Sequence, residues 1–349
     1  MLVLQGEDNA KPWLAAETLV WLGTQNDGTG DVLTLVLRAR DPKGRGEARF
    51  GRMVVSTGAV RPLHLDGAWL LGRTPWGSSV EAFGGAPVVP RFGERAYDWA
   101  AGGRVAQSIA DHATIGVAYV QERDRGEIAH EEVGGDLAVV PAKWLDFATR
   151  AAWDLASPGL SDALVSLAAR SKDVRVEAFL TRRSPSHILP ATSLFSVLGD
   201  VPATRAGSAI KWRAAPRLDL LASGATEIID DRVGADVTLR ATLRTDDEGR
   251  GSVGLELRRQ DVPEARWSGV RGVALVPLSS RWRAGTELEL AHADHPDGRG
   301  EIWPWALVSL GYRIGWGWDV AAAAEAASTP TATREIVGLA RASWNWERR

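Results

Sequence analysis

Hydrophobic and polar residues alternate along most of this chain. Between Arg232 and Arg244 every second residue is apolar, beginning with Val233 and ending with Leu243, and the residues between them are polar, charged or glycine. A period of two is typical of a β-strand with one apolar and one polar face, because a helix would mix the two sets. The alternation recurs about every 12 to 20 residues, so the sequence predicts an all-β protein of about 18–20 strands.

Turn-forming residues separate these segments, and the connectors alternate between short and long. We expect residues 141–143 and 278–280 to form tight turns, and the longer connectors to span the ranges 85–97, 122–127, 184–201, 260–265 and 292–300. Successive connectors of an antiparallel sheet lie at opposite ends, so the short ones gather at one end and the long ones at the other. Outer-membrane barrels are built in this way.

The residue types on the apolar faces favour lipid over a packed soluble core. These faces are rich in Ala, Val, Leu and Gly, and the whole chain has only 2 Met and 6 Phe. The 16 Trp lie mostly near segment ends, where they would form aromatic girdles at the membrane interfaces. Trp69, Trp99, Trp212, Trp282 and Trp303 are among these expected girdle residues. The alternative is a soluble all-β protein in which Trp fills the core.

A sheet inside a membrane must close on itself, because hydrocarbon cannot satisfy the hydrogen bonds of a free strand edge. We therefore expect a closed antiparallel transmembrane β-barrel of about 18–20 strands. No linker or composition shift divides the chain, so residues 1–349 are predicted to form a single barrel domain. A barrel of this size holds water unless loops fill it.

Composition excludes several other classes of protein. There is no Cys, which excludes disulfides, Cys-ligated metals and Cys nucleophiles. The net charge of -3 argues against a nucleic-acid partner, and no stretch of about 20 apolar residues predicts a membrane helix. Residues 1–8 lack the basic and apolar regions of a secretory signal, so we expect that the sequence begins near a mature terminus.

Residues 51–68 carry a motif found early in some barrel sequences. The matching residues are Gly51-Arg52-Met53, Ser56-Thr57-Gly58, Arg61 and His64-Leu65-Asp66-Gly67-Ala68. This run resembles Gram-negative outer-membrane porin-like barrels, especially alginate-export-type barrels, in which a Phe stands where this chain has Leu65 and a Gln where it has Met53. The resemblance implies export or diffusion of an anionic or neutral solute across the outer membrane.

No motif supports catalysis, a metal or a cofactor. His292, Asp294, His295 and Asp297 could offer metal ligands, but we interpret this stretch as a hairpin tip. The sequence contains no Gly-x-Ser-x-Gly elbow. We therefore expect a protein that is not an enzyme and that needs no metal or cofactor.

Charged residues on the polar faces of the central segments are expected to line the pore. They are Arg150, Arg170, Arg175, Arg205, Lys211, Arg213, Arg217, Asp219, Asp236, Arg240, Arg244, Glu256 and Arg258. Rings of Arg and Lys favour anions over cations, although a structural lattice of ion pairs would use the same residues. Both roles are compatible.

One long connector contains a short apolar run at residues 193–199. An apolar segment exposed to water is costly, so we expect this run to pack against the protein. It would either form a constriction in the lumen or cap the rim. The residues concerned are Leu194, Phe195, Val197 and Leu198.

These observations predict an outer-membrane channel for passive diffusion or export of small anionic or neutral solutes or saccharides. Its partners would be the lipid bilayer and the solute, with envelope proteins as further candidates. One alternative is a non-conducting outer-membrane barrel that anchors or scaffolds an envelope assembly. A second alternative is a soluble all-β binding protein.

Overall fold

A computed structural model describes residues 2–8, 11–22, 30–88, 98–110, 112–184, 202–229, 231–262, 265–294, 302–328 and 335–344. These residues contain 21 strands and no helix, against the 18–20 strands expected. Within them, therefore, no helix is long and apolar enough to span a membrane. The predicted all-β class is confirmed.

Contacts divide the chain into two compact units. The first unit comprises Met1–Leu167 and Leu180–Ala203, and the second comprises Ala168–Phe179 and Thr204–Arg349. Each is described separately below. The single-domain organisation stays a prediction.

The first unit contains the strands before residue 168. They are β1 (Leu2–Asp8), β2 (Lys11–Leu22), β3 (Gly30–Arg40), β4 (Gly46–Val55), β5 (Leu63–Arg73), β6 (Ser78–Pro87), β7 (Trp99–Ile109), β8 (Ala113–Asp124), β9 (Glu127–Ala142), β10 (Leu145–Asp154) and most of β11 (Gly159–Arg170). From β1 to β10 each strand pairs antiparallel with the next.

The second unit contains the later strands. They are β12 (Val174–Arg183, of which 180–183 belong to the first unit), β13 (Ala203–Ala215), β14 (Leu218–Ile229), β15 (Arg232–Arg244), β16 (Ser252–Val262), β17 (Ala265–Pro277), β18 (Trp282–Ala293), β19 (Ile302–Gly315), β20 (Trp318–Ala327) and β21 (Glu335–Trp344). From β14 to β21 each strand again pairs antiparallel with the next.

Each strand has an outer face, which we define as the face that carries exposed apolar side chains, and an opposite inner face. On β15 the outer face carries Val237, Leu239 and Leu243, which are 46%, 47% and 49% exposed. The predicted alternation in β15 is confirmed, because Asp236 and Arg240 lie between these residues and point to the inner face.

Tight turns occur where they were expected, but two of the expected long connectors are wrong. Strands β9 and β10 are separated by residues 143–144, and β17 and β18 by 278–281. The range 122–127 instead belongs mostly to β8 and β9, which are joined by Arg125 and Gly126 with φ of 52° and 81°. Two positive φ values are typical of a type I′ hairpin turn. Range 260–265 likewise belongs largely to β16 and β17, whose charged ends resemble a loop in sequence.

The buried apolar core of the described residues lies in the first unit. It is formed by the inner faces of β4 to β8 and one connector, and comprises Met53, Val55, Val60, Leu63, Leu65, Trp69, Leu71, Phe83, Ala100, Ala118 and Val120. Trp69 is therefore a core residue and not the girdle residue that its position near a segment end predicted.

Candidate functional site

The inner face of the second unit is a lattice of cross-strand ion pairs. Arg240 lies directly opposite Glu256 in the register of β15 and β16, and the two side chains form an ion pair. Arg258 contacts the other oxygen of the same carboxylate. Glu256 is only 3% exposed, so two guanidinium groups compensate the burial of one negative charge.

The same face extends over β13 to β15. Arg205 donates to both carboxylate oxygens of Asp236, at 3.0 and 2.8 Å, and its guanidinium lies 5.8 Å from the ring centroid of Phe179. Arg244 donates to Asp219 at 3.0 Å. These arginines are each anchored to a carboxylate, which fixes their position and reduces their net field.

Charge is distributed unevenly over this inner face. On β13 to β15 the basic side chains outnumber the carboxylates; the basic ones are Arg205, Lys211, Arg213, Arg232, Arg240 and Arg244, and the acidic ones are Asp219, Glu227 and Asp236. On β18 to β20 the acidic side chains outnumber the basic ones; they are Glu287, Glu289, Asp319 and Glu325 against Arg283 and Arg313. The inner face of the second unit is therefore basic on β13 to β15, its basic side, and acidic on β18 to β20, its acidic side.

The structure places most of the predicted pore-lining residues on strands. Arg150 pairs with Asp162 at 3.2 Å, Arg175 pairs with Glu177, and Arg170 is the last residue of β11. Arg217 differs, because it lies in the two-residue turn between β13 and β14 and pairs with Asp247, in the turn between β15 and β16, at 2.8 Å. A pore-lining role stays a prediction, and Leu194, Phe195, Val197 and Leu198 lie outside the described residues.

A different connector packs onto an inner face in the first unit. Residues 56–62 join β4 to β5, and Thr57, Ala59 and Val60 within them are each at most 5% exposed. A Cβ on Gly134 of β9 would meet the Ala59 side chain at 2.9 Å. Residues 56–62, hereafter the β4–β5 connector, therefore lie directly against the strand backbone.

Gly58 allows this close approach. Its φ of 59° is in the left-handed region, and a Cβ there would meet Arg104 at 2.7 Å and Asp136 at 2.8 Å. Arg104 and Asp136 are joined by two hydrogen bonds, at 3.0 and 2.6 Å, on the inner face of β7 and β9. Only glycine fits above this pair without displacing it.

Arg61 fastens the end of the connector to buried carboxylates. Its side chain donates to Glu122, and its backbone N–H donates to Glu132 at 3.0 Å. The Ser161 hydroxyl donates to the other oxygen of Glu132, and His130 Nε2 lies 3.9 Å from this carboxylate. Glu122 and Glu132 are each 2% exposed, so the connector is held by charge-assisted bonds away from water. Sequence analysis found Arg61 only as part of a family-like motif.

The outer faces carry exposed aromatic residues near strand ends. Trp282 and Tyr312, paired across β18 and β19, stack with ring centroids 4.4 Å apart. Trp212 is 47% exposed, and Trp99 is 42% exposed beneath the Arg123 guanidinium. Trp303 differs from the predicted girdle, because its register partner is Ala291 on the inner face.

In the second unit the outer face also carries a polar group, near the end of β16 and the end of β18. Arg259 donates to both oxygens of Asp294, at 2.8 and 2.5 Å, and to the Ser268 hydroxyl at 2.9 Å. On β18 the apolar stretch from Trp282 to Leu290 is about 26 Å long at roughly 3.3 Å per residue. Nine residues fit the roughly 9–11 that a tilted strand needs to cross a bilayer.

The turn between β15 and β16 contains one titratable group with a shifted pKa. The backbone N–H groups of Arg250 and Gly251 donate to the Asp246 carboxylate at 2.9 and 2.8 Å. The first of these bonds is the main cause of a lowered pKa for Asp246. The negative charge therefore helps to hold the turn in its folded form.

Among the described residues no cluster of three or more His, Asp or Glu could hold a metal ion. Asp294 of the predicted hairpin tip binds Arg259, and His295 and Asp297 lie outside the described residues. The metal-ligand interpretation of this tip therefore gains no support.

Comparisons with known proteins give structural similarity alone. No known protein family matches the sequence, and no curated protein matches it. The chain is similar to the P pilus usher (PapC) translocation pore, with a TM-score of 0.57 and 9% identity over 98% of this chain and 93% of that one.

Two further solved structures are similar to a lesser degree. The E. coli P pilus tip assembly intermediate PapC-PapD-PapK-PapG gives a TM-score of 0.54 at 8% identity, and this chain spans 56% of that one. Pseudomonas aeruginosa OccK5 (OpdH) gives a TM-score of 0.47 at 11% identity over 86% of this chain and 96% of that one. The two usher structures support a β-barrel for this antiparallel all-β chain, and closure of the sheet stays a prediction.

Proposed function

We propose that the chain is an outer-membrane β-barrel channel for passive diffusion or export of small anionic or neutral solutes or saccharides. The observation that carries the proposal is the contrast between the two faces of β15 and β16. Leu239, Leu255 and Leu257 are 47–54% exposed on one face, whereas the other face holds the Arg240–Glu256–Arg258 group. Exposed apolar area costs about 25 cal/mol per Å² in water, and lipid removes that cost.

Closure of the sheet is part of the proposal. Strand edges in hydrocarbon would leave backbone N–H and C=O groups without partners, at several kcal/mol for each group. A sheet of 21 strands with a lipid-facing surface is therefore stable in a membrane only when its edges meet. Water would then fill the space that the inner faces enclose.

The solute class follows from the second unit's inner face. Lys211 and the arginines of β13 to β15 give that side a positive excess, which favours anions. The excess is moderated by Asp219 and Asp236, which bind Arg244 and Arg205. We therefore propose a modest anion preference that still admits neutral solutes such as sugars.

A second candidate function rests on the first unit. The β4–β5 connector and the apolar core occupy an inner face that an open channel would leave to water. A non-conducting barrel that anchors or scaffolds an envelope assembly would use such packing. The usher structures belong to a pilus assembly system, and a similar partnership with envelope proteins is proposed here only for this candidate.

Ion conductance in a planar bilayer separates the two candidates. The channel predicts stable unitary currents from purified, heat-modifiable protein, and the scaffold predicts an intact folded protein without current. An Arg61→Gln variant provides a matched comparison, because loosening the connector would raise the conductance of a channel. A protein that stays in the soluble fraction without detergent would overturn both candidates in favour of a soluble binding protein.

A further inference from the structure

A cavity of about 440 Å³ opens on the inner face of the second unit. Its wall is formed by side chains of β17, β18 and β19 together with the end of β20. The lining residues include Arg271, Glu287, Glu289, Trp303 and Trp305. The volume is within the range of roughly 300–1,000 Å³ that small-molecule sites occupy.

Two indole rings form the apolar part of the cavity. Trp303 and Trp305 are two residues apart on β19, so both side chains point to the inner face, opposite Ala291 and Glu289 of β18. Trp305 is fixed by a hydrogen bond from its Nε1 to Glu325 at 2.7 Å. The buried Nε1 of Trp303 has no acceptor among the described residues, so packing alone sets the orientation of that ring.

The polar part of the cavity presents donors and acceptors side by side. Arg271 contacts Glu287 and lies 4.0 Å from Glu289, and Arg258 lies 3.9 Å from the same Glu289. Each carboxylate can accept several hydrogen bonds, and each guanidinium carries five N–H donors. The donors and acceptors that these ion pairs leave available can therefore both donate hydrogen bonds to the hydroxyls of a ligand and accept hydrogen bonds from them.

The existing ion pairs discriminate against charged ligands. A cation would compete with Arg271 for both carboxylates, and an anion would meet Glu287 and Glu289 and would have to draw Arg271 away from them. A neutral polyol disturbs neither arrangement, because its hydroxyls add to the hydrogen bonds and its C–H surface packs on indole. We propose that this cavity binds a neutral pyranose unit of a saccharide.

This inference rests on the proposed function, because it names the class of solute that would pass through the proposed channel. Binding itself is measurable without conduction. Isothermal titration of the full chain in detergent, against neutral gluco-, galacto- and manno-oligosaccharides, provides that measurement. Choline chloride and sodium citrate serve as the cationic and anionic comparisons.

At least one neutral oligosaccharide is expected to bind, and Trp305→Ala should weaken that binding about tenfold, which corresponds to about 1.4 kcal/mol. Glu289→Gln, which keeps the side-chain size, should weaken it as well. Trp282→Ala is the matched control, because Trp282 lies on the outer face of the neighbouring strand. Heat-modifiable mobility on a gel verifies that each variant is folded.

The inference is overturned if no oligosaccharide binds, if choline or citrate binds more tightly than every sugar, or if Trp305→Ala and Glu289→Gln leave sugar affinity unchanged. Sugar binding without any current would contradict the proposed channel and leave the cavity assignment intact. Current without sugar binding would contradict the cavity assignment alone.

Discussion

The two units have similar outer faces and different inner faces. In the first unit the inner face holds Leu65, Val120 and Trp69 in a packed core, and the β4–β5 connector covers Gly134 and the Arg104–Asp136 pair. In the second unit the buried apolar residues are small, namely Ala225, Val262 and Ala293, and the inner face is a lattice of ion pairs. We infer that the outer faces are alike because both would meet lipid. The inner faces differ because the first is packed with apolar side chains and the second carries ion pairs.

We infer from this difference that the two inner faces have different roles, one in stability and the other in contact with solute. Buried carboxylates and close packing in the first unit make its inner face costly to disturb. In the second unit the arginines of the ion pairs are partly exposed and Glu256 is shared between two of them, so losing one pair should cost little, about 0–1 kcal/mol. We therefore assign support of the fold mainly to the first inner face and contact with solute mainly to the second.

Removing Arg61 should have the largest effect. Arg61→Ala leaves Glu122 and the Glu132 network buried with less compensation, and we expect a loss of about 3–5 kcal/mol in the free energy of unfolding. Arg240→Ala is the matched variant, because Glu256 keeps Arg258 as a partner, and its loss should be about 1 kcal/mol or less. Urea unfolding of refolded protein in detergent measures both. Equal losses of unfolding free energy in the two variants would contradict the different roles of the two inner faces.

A charge on the outer face of the second unit should have the next largest effect. Leu239→Arg places a guanidinium in lipid and is expected to cost roughly 2–4 kcal/mol if Leu239 lies near the midplane. Arg240→Leu, one residue away on the inner face, should cost much less. Folding yield into lipid vesicles compares them, and equal sensitivity at the two positions would contradict the assignment of faces.

In the proposed channel, ion selectivity would depend on the basic side chains of β13 to β15 on the second unit's inner face. Replacing Arg240 and Arg244 together by Gln should reduce the anion preference without abolishing conductance. The preference should also shrink with salt, since the Debye length falls from roughly 30 Å at 0.01 M to roughly 3 Å at 1 M. Reversal potentials across a salt gradient give the permeability ratio. A wild-type channel selective for cations would be inconsistent with this assignment.

The smallest effect is expected at the turn between β15 and β16. The pKa of Asp246 is lowered in the folded protein, so its contribution to stability is present above its unfolded pKa and is lost as pH falls through the folded pKa. Asp246→Asn should therefore lower the melting temperature slightly at neutral pH and leave it unchanged in acid. A pH-independent difference between the two proteins would exclude this role for the carboxylate.

The strand pattern could be predicted from the sequence, because alternation is a local property. In β15 the exposed set from Val233 to Leu243 and the inner set with Arg240 follow directly from a period of two. Position along a strand was less informative about the face: Trp69 lies near the middle of β5 and Trp303 near the start of β19, yet both belong to inner faces. An aromatic residue near a strand end is compatible both with a girdle on the outer face and with a position on the inner face.

The β4–β5 connector could not be predicted, because its burial depends on contacts distant in sequence. Arg61 meets Glu122 across 61 residues and Glu132 across 71. No local pattern marks residues 56–62 as an inward segment, whereas the apolar run at 193–199 suggested one and lies outside the described residues. The cavity near Trp305 likewise requires the register of β17 to β20.

Chemical blocking of the current tests the central claim most directly. The native chain has no Cys, so Thr238→Cys on the inner face of β15 and Leu239→Cys on the outer face each provide one unique thiol. A charged, membrane-impermeant methanethiosulfonate should reduce the planar-bilayer current of Thr238→Cys and leave that of Leu239→Cys unchanged. A block at Leu239→Cys alone, or folded protein that carries no current before the reagent is added, would contradict the account.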